Sequence, residues 1–179
     1  MQTQNIKTEL TISGVGVVIG HQFLEDVARN IPDVKENKAV FAVLAQSENP
    51  SVRETISRND NLSKKVIHLL LNDENQEVVE NILSHTEHGK QISEETLFAL
   101  IVGNNTKYLQ TIAQNIDNYI LCDTCKIATI LSEHENTSVR YSLVHWRSND
   151  AVTSKILKKL SEDEDFDVAK QAKEALDYR

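Results

Sequence analysis

The chain is short of the residues that make tight turns and cross-links. Five glycines and two prolines in 179 residues are too few for a turn-rich β-sandwich and suit a helical protein. Its two cysteines, Cys122 and Cys125, cannot supply a disulfide framework, and they stand too close in sequence to bridge separate folded elements. Aromatic residues make up only 5% of the chain, with a single tryptophan. No apolar run approaches the roughly 18 residues of a spanning helix. The stretch 1–20 has one lysine, Lys7, an acid at Glu9 and then a short apolar segment. It therefore lacks the basic start and longer apolar core of a secretory signal. A cytoplasmic protein is the expectation.

Positive charge is also in short supply. Nineteen Lys and Arg face twenty-seven Asp and Glu, for a net charge of −8, which repels nucleic acid and anionic membrane and favours basic partners. What is present is length and apolar content: 40% hydrophobic residues suffice for one domain with a buried core, or for one short repeat array.

A near-duplicate separates these two options. Glu48–Arg53 reads ENPSVR and Glu135–Arg140 reads ENTSVR. Aligned on Val52, six segments line up, beginning at Phe23, Val52, Val78, Tyr108, Val139 and Val168, with starts 26 to 31 residues apart. First and fifth positions are apolar in every copy, one helical turn apart, which is the stripe of an amphipathic helix. Eight residues before each start after the first stands a leucine: Leu44, Leu70, Leu100, Leu131 and Leu160. Eleven before stand Phe41, Ile67, Leu97, Ala128 and Leu157, the same face of a preceding helix. Three before stand Asn49, Asn75, Asn105, Asn136 and Asp165. Asparagine tolerates the left-handed conformation and bonds local backbone, so this column predicts the close of one helix, with Ser51, Ser138 and Asp167 as N-caps of the next. Each unit thus reads as helix, Asn-containing turn, helix. Single units cannot bury their stripes, so neighbours are expected to stack.

The stretch from Asn49 to Asn75, with Val52, Arg53, Ile56, Asn59, Leu62, Ser63, Val66, Leu69, Leu70 and Asp73 at the matching positions, resembles the bacterial leucine-rich repeat variant, a relative of HEAT-like repeats. The resemblance covers about residues 23–176, and the usual prolines are mostly missing. It implies an all-α, right-handed α-solenoid of five to six HEAT-like repeats, with residues 1–20 as a lead-in and 21–179 as a single repeat domain. It implies a surface for binding macromolecules and no chemistry. The expected function is a non-catalytic protein-binding scaffold or adaptor; the alternative is a nucleic-acid-binding or alkylpurine DNA glycosylase-like protein, with Arg29, Arg58, Arg140 and Arg147 lining a groove. In HEAT-like arrays the Val-Arg arginine often pairs with an Asp six residues earlier. Here Ser47 and His134 hold that place before Arg53 and Arg140, so the arginine ladder is expected to be broken.

Four constellations invite chemistry. Asp163, Asp165, Asp167 and Glu174 match calcium-loop positions, but Val168 stands where the loop needs glycine. Cys122 and Cys125 have zinc-ligand spacing, and His85 and His88 fall at the matching corner of the preceding unit; without a second cysteine pair, no metal or other cofactor is expected. Gly14, Gly16 and Gly20 lack the preceding strand, spacing and following Lys-Ser/Thr of a phosphate loop. Trp146 occupies a column of mostly polar residues (Asn30, Asn59, His85, Asn115, Ala175), so it is expected to face solvent or a turn. With Tyr141, His145 and Arg147 it is the candidate partner-binding cluster, since Trp, Tyr and Arg dominate binding hot spots.

Overall fold

In a computed structural model, the described residues are 9–12, 15–18, 20–146 and 151–178. Helices dominate. They are α1 (His21–Asn30), α2 (Lys38–Leu44), α3 (Pro50–Ser57), α4 (Lys64–Leu70), α5 (Gln76–Ser84), α6 (Thr86–Gly89), α7 (Glu94–Val102), α8 (Thr106–Gln114), α9 (Thr124–Ser132), α10 (Thr137–Val144), α11 (Ala151–Leu160) and α12 (Phe166–Asp177). The lead-in departs from the helical reading. Strands β1 (Glu9–Ile12) and β2 (Val15–Val18) pair antiparallel, with Leu10 opposite Val17 and Ile12 opposite Val15. A strand does therefore precede the glycine stretch, although the missing Lys-Ser/Thr still argues against a phosphate loop.

The chain divides into two compact units, 1–82 and 83–179. In the first, α3 packs against α1, α2 and α4. In the second, α10 packs against α8 and α12 on either side and against α9, while α9 and α11 pack together. Within this second unit, α8, α10 and α12 thus follow one another in contact, and α9 and α11 form a second pair. No helix among the described residues is long and apolar enough to cross a membrane.

The column that begins at Phe41 is buried throughout: Phe41, Ile67, Leu97, Ala128 and Leu157 are all inaccessible to solvent. Val52 and Ile56, Val78 and Ile82, Val139 and Leu143, and Val168 and Ala172 are equally buried. Departures are local. Leu100 and Tyr108 are only half-buried, and their neighbours Ile101 and Leu109 take the core positions. Leu97 and Ile112 keep their buried places in the same two helices, so only one edge of the apolar stripe of α7 and α8 has moved by one residue. Phe23, at the start of the alignment, is 46% exposed, whereas Ala28 of α1 is buried.

The asparagine column works differently from the left-handed turn that its composition suggests. Asn49, Asn105, Asn136 and Asp165 are N-caps in extended backbone, at φ between −76° and −83°. Their side chains accept from the backbone N–H two residues on: Ser51, Lys107, Ser138 and Asp167. Asn75 does the same for Glu77. The helices begin earlier than Ser51, Ser138 and Asp167 suggest, because an amide or carboxylate oxygen reaches these N–H groups from the turn itself. Among the described non-glycine residues the positive φ belongs to Asn104, at 52°, one place before the column. First-position helices have their own caps in Ser63, Ser93 and Asp123. Gly89 is needed at its position, since a Cβ there would stand 2.7 Å from the Cβ of Asn118.

Candidate functional site

Arg53 and Arg140, the duplicated arginines, are almost fully buried. Arg53 donates through Nε and Nη2 to the two carboxylate oxygens of Asp73, at 2.7 and 2.9 Å. Its Nη1 donates to the backbone oxygens of Ser47 and Glu48. Arg140 repeats the pattern on Asp163, at 2.8 and 2.9 Å, and on the oxygens of His134 and Glu135. The expected break in the ladder is therefore corrected. The place six residues earlier is indeed contacted, but through its carbonyl, and the carboxylate comes from the following unit. Both charges are satisfied by a planar two-point bond, the geometry in which arginine outperforms lysine. The hydrogen bonds that each guanidinium donates to Asp73 or Asp163 raise the arginine pKa further, and Arg140 draws the Asp163 carboxyl below its usual range.

These contacts also account for the acidic run. Asp163 Oδ1 accepts from the Asp165 N–H as well as from Arg140, and Asp165 caps α12. Asp163 and Asp165 are thus turn and cap groups, while Asp167 and Glu174 lie within α12. The zinc constellation is likewise not assembled: among the described residues no three His, Cys, Asp or Glu side chains converge as metal ligands. His85 and His88 stack with ring centroids 4.1 Å apart, and the Cys122 thiol, pushed up by burial, donates to the Ile92 carbonyl.

The candidate partner-binding cluster does not form one exposed patch among the described residues. Trp146 does not face solvent. It is 2% exposed, and its indole N–H donates to Asp117 Oδ1 at 2.7 Å. The polarity of its column had another cause: Asn30 and Asn115 bond the carbonyls of Asp26 and Thr111, four residues back, and so finish their helices. Tryptophan cannot accept that role, so its ring packs inward and its N–H finds a carboxylate. Arg147 lies outside the described residues.

Tyr141 and His145 remain on the surface of α10, one turn apart, in an edge-to-face contact with ring centroids at 5.3 Å. They line a groove of about 450 Å³ that runs across α8, α10 and α12. Gln110 and Gln114 border it on one side, Asp167, Lys170 and Gln171 on the other. Ser142, at its floor, donates to the Ser138 carbonyl and accepts from Gln114, so its hydroxyl is held by structural bonds. The third position of each segment (Gln110, Tyr141, Lys170) and the seventh of the first two (Gln114, His145) mark this face in the sequence.

Of the arginines invoked for a nucleic-acid groove, the three among the described residues are occupied. Arg29 pairs with Glu25 and Arg58 with Glu54 along their own helices, and Arg140 is buried on Asp163. No family model matches the chain, and no curated protein matches it. Among solved structures it is similar to an engineered protein known from a crystal structure, at 19% identity over 87% of this chain and 86% of that one, with a TM-score of 0.42.

Proposed function

We propose that the chain is a non-catalytic protein-binding module, built as an array of HEAT-like repeats stacked in a right-handed α-solenoid. Its binding surface is the face of α8, α10 and α12 around Tyr141 and His145, and its ligand is an extended segment of another protein. The observation that carries this reading is the groove itself: an aromatic pair at its centre, flanked by side-chain amides. Gln110, Gln114 and Gln171 each offer donors and an acceptor, which suits the alternating N–H and C=O groups of a peptide backbone. Tyr141 supplies rigid contact area at low entropic cost. Asp165 and Asp167 at one end, in a chain of net charge −8, favour a basic side chain there.

Panning a displayed peptide library on the purified chain tests the reading. The expected outcome is enrichment of peptides carrying Lys or Arg, whose binding in calorimetry weakens about 30-fold, or ~2 kcal/mol, in Tyr141→Ala. Enriched peptides that bind Tyr141→Ala as tightly as the native chain would place the surface elsewhere.

A further inference from the structure

The exposed side of α12 has an order of charge that matches itself. Phe166, Ala169, Lys170, Lys173, Glu174 and Asp177 border one shallow hollow of about 250 Å³. They recur at intervals of three and four, so they form a single stripe on the helix. The opposite side is the buried one, where Val168 and Ala172 meet the core. Phe166 is 76% exposed at the start of the stripe, and Tyr178, 91% exposed, stands just past its end. Ala169 occupies the position that Arg53 and Arg140 fill in α3 and α10. There the arginine is buried and tied to an aspartate of the following unit, whereas Ala169 is half-exposed. This flank of α12 is thus uncovered in the place where its counterparts are covered.

We infer that α12 pairs antiparallel with α12 of a second copy of this chain. Along the stripe both lysines come first and both acids follow, symmetric about the point between Lys173 and Glu174. A two-fold axis through that point sets Lys170 against Asp177 of the second copy and Lys173 against its Glu174, and each contact occurs twice, as an isologous interface requires. A parallel pair in register sets like charge on like. Phe166 then comes within about one turn of the second copy's Tyr178, which draws the most exposed aromatic residues of the helix out of water. Exposed ion pairs add little affinity, so they fix the orientation and register while apolar burial supplies the attraction. Gln171, which donates to Glu174 within the same helix, shares that carboxylate with the incoming lysine.

Sedimentation equilibrium on the full chain, at low salt and up to ~200 µM, tests the pairing. The native chain is expected to show a monomer–dimer equilibrium that weakens at high salt. Lys170→Glu with Lys173→Glu, and separately Glu174→Lys with Asp177→Lys, should each weaken self-association at least about tenfold. Mixing these two variants in equal amounts should restore a dimer, as should all four changes in one chain, which also shows that the substituted helix still folds. A native chain that stays monomeric throughout overturns the inference. So do charge-reversed variants that dimerise like the native chain, or a mixture with no recovery.

Discussion

Arg53 and Asp73 are 20 residues apart in sequence and meet in a two-point ion pair whose side chains are 9% and 6% exposed. The same arginine grips the turn before its own helix through two carbonyls. One side chain therefore closes a turn within its segment and fastens that segment to the next. Arg140 and Asp163 do so again, which is why ENPSVR and ENTSVR are nearly the same six residues.

Removing one partner of such a pair leaves a desolvated charge behind. Asp163→Ala or Arg140→Ala is expected to cost about 3–5 kcal/mol in denaturant unfolding. Replacing both with apolar residues of similar size, Arg140→Met with Asp163→Leu, should cost less than either single change. A double variant as damaged as the sum of the singles would show that the pair is not a coupled unit.

The pair also sets an acid limit. The folded-state pKa of Asp163 is depressed by Arg140, so its contribution is present above the unfolded carboxyl value near 3.9 and is lost as pH falls through the lower folded value. The stability difference between the native chain and Asp163→Asn should be constant from about pH 5 to 7 and shrink below about pH 4. A difference that grows on acidification would contradict this assignment.

Much of the fold could be read from spacing. The column from Phe41 to Leu157 is buried at every position, because a period repeated five times averages out local exceptions. The exceptions are one-residue slips such as Leu100 to Ile101, which a column alignment cannot register. The pairing of Arg53 is hidden for a different reason: it joins one unit to the next, and such a contact is invisible in the sequence of a single unit. Once Arg and Asp are compared one unit apart, both pairs stand out, since Asp73 and Asp163 follow the two segments that carry arginine. The place of Trp146 is not legible from its column, because a polar column need not be an exposed one: Asn30 and Asn115 are polar in order to finish helices.

Leu70 and Leu131, both inaccessible to solvent, should each cost about 2–5 kcal/mol when changed to Ala. A loss below ~0.5 kcal/mol in a denaturant melt would be at odds with their place in the core.

Trp146→Ala is expected to act on stability and not on recognition. Loss of the ring and of the bond to Asp117 should cost about 3–5 kcal/mol, while peptide affinity per folded molecule stays within about twofold. A stable variant with a specific binding defect would return Trp146 to the binding surface.

Capping predicts a smaller and more specific effect. Asn136→Ala should cost about 1 kcal/mol, and Asn136→Asp or Asn136→Ser should recover most of it, because either oxygen can accept from the Ser138 N–H. Asn136→Gly recovering as well as Asp would instead mark the site as one that needs backbone freedom.

The central claim is that the face of α8, α10 and α12 around Tyr141 and His145 holds a peptide segment. Amide hydrogen exchange of the full chain, with and without a saturating peptide selected by panning, tests it most directly. The account predicts slowed exchange concentrated in α8, α10 and the first turns of α12, with 20–82 unchanged. Protection centred on α2 and α4, or spread evenly over the chain, would contradict it.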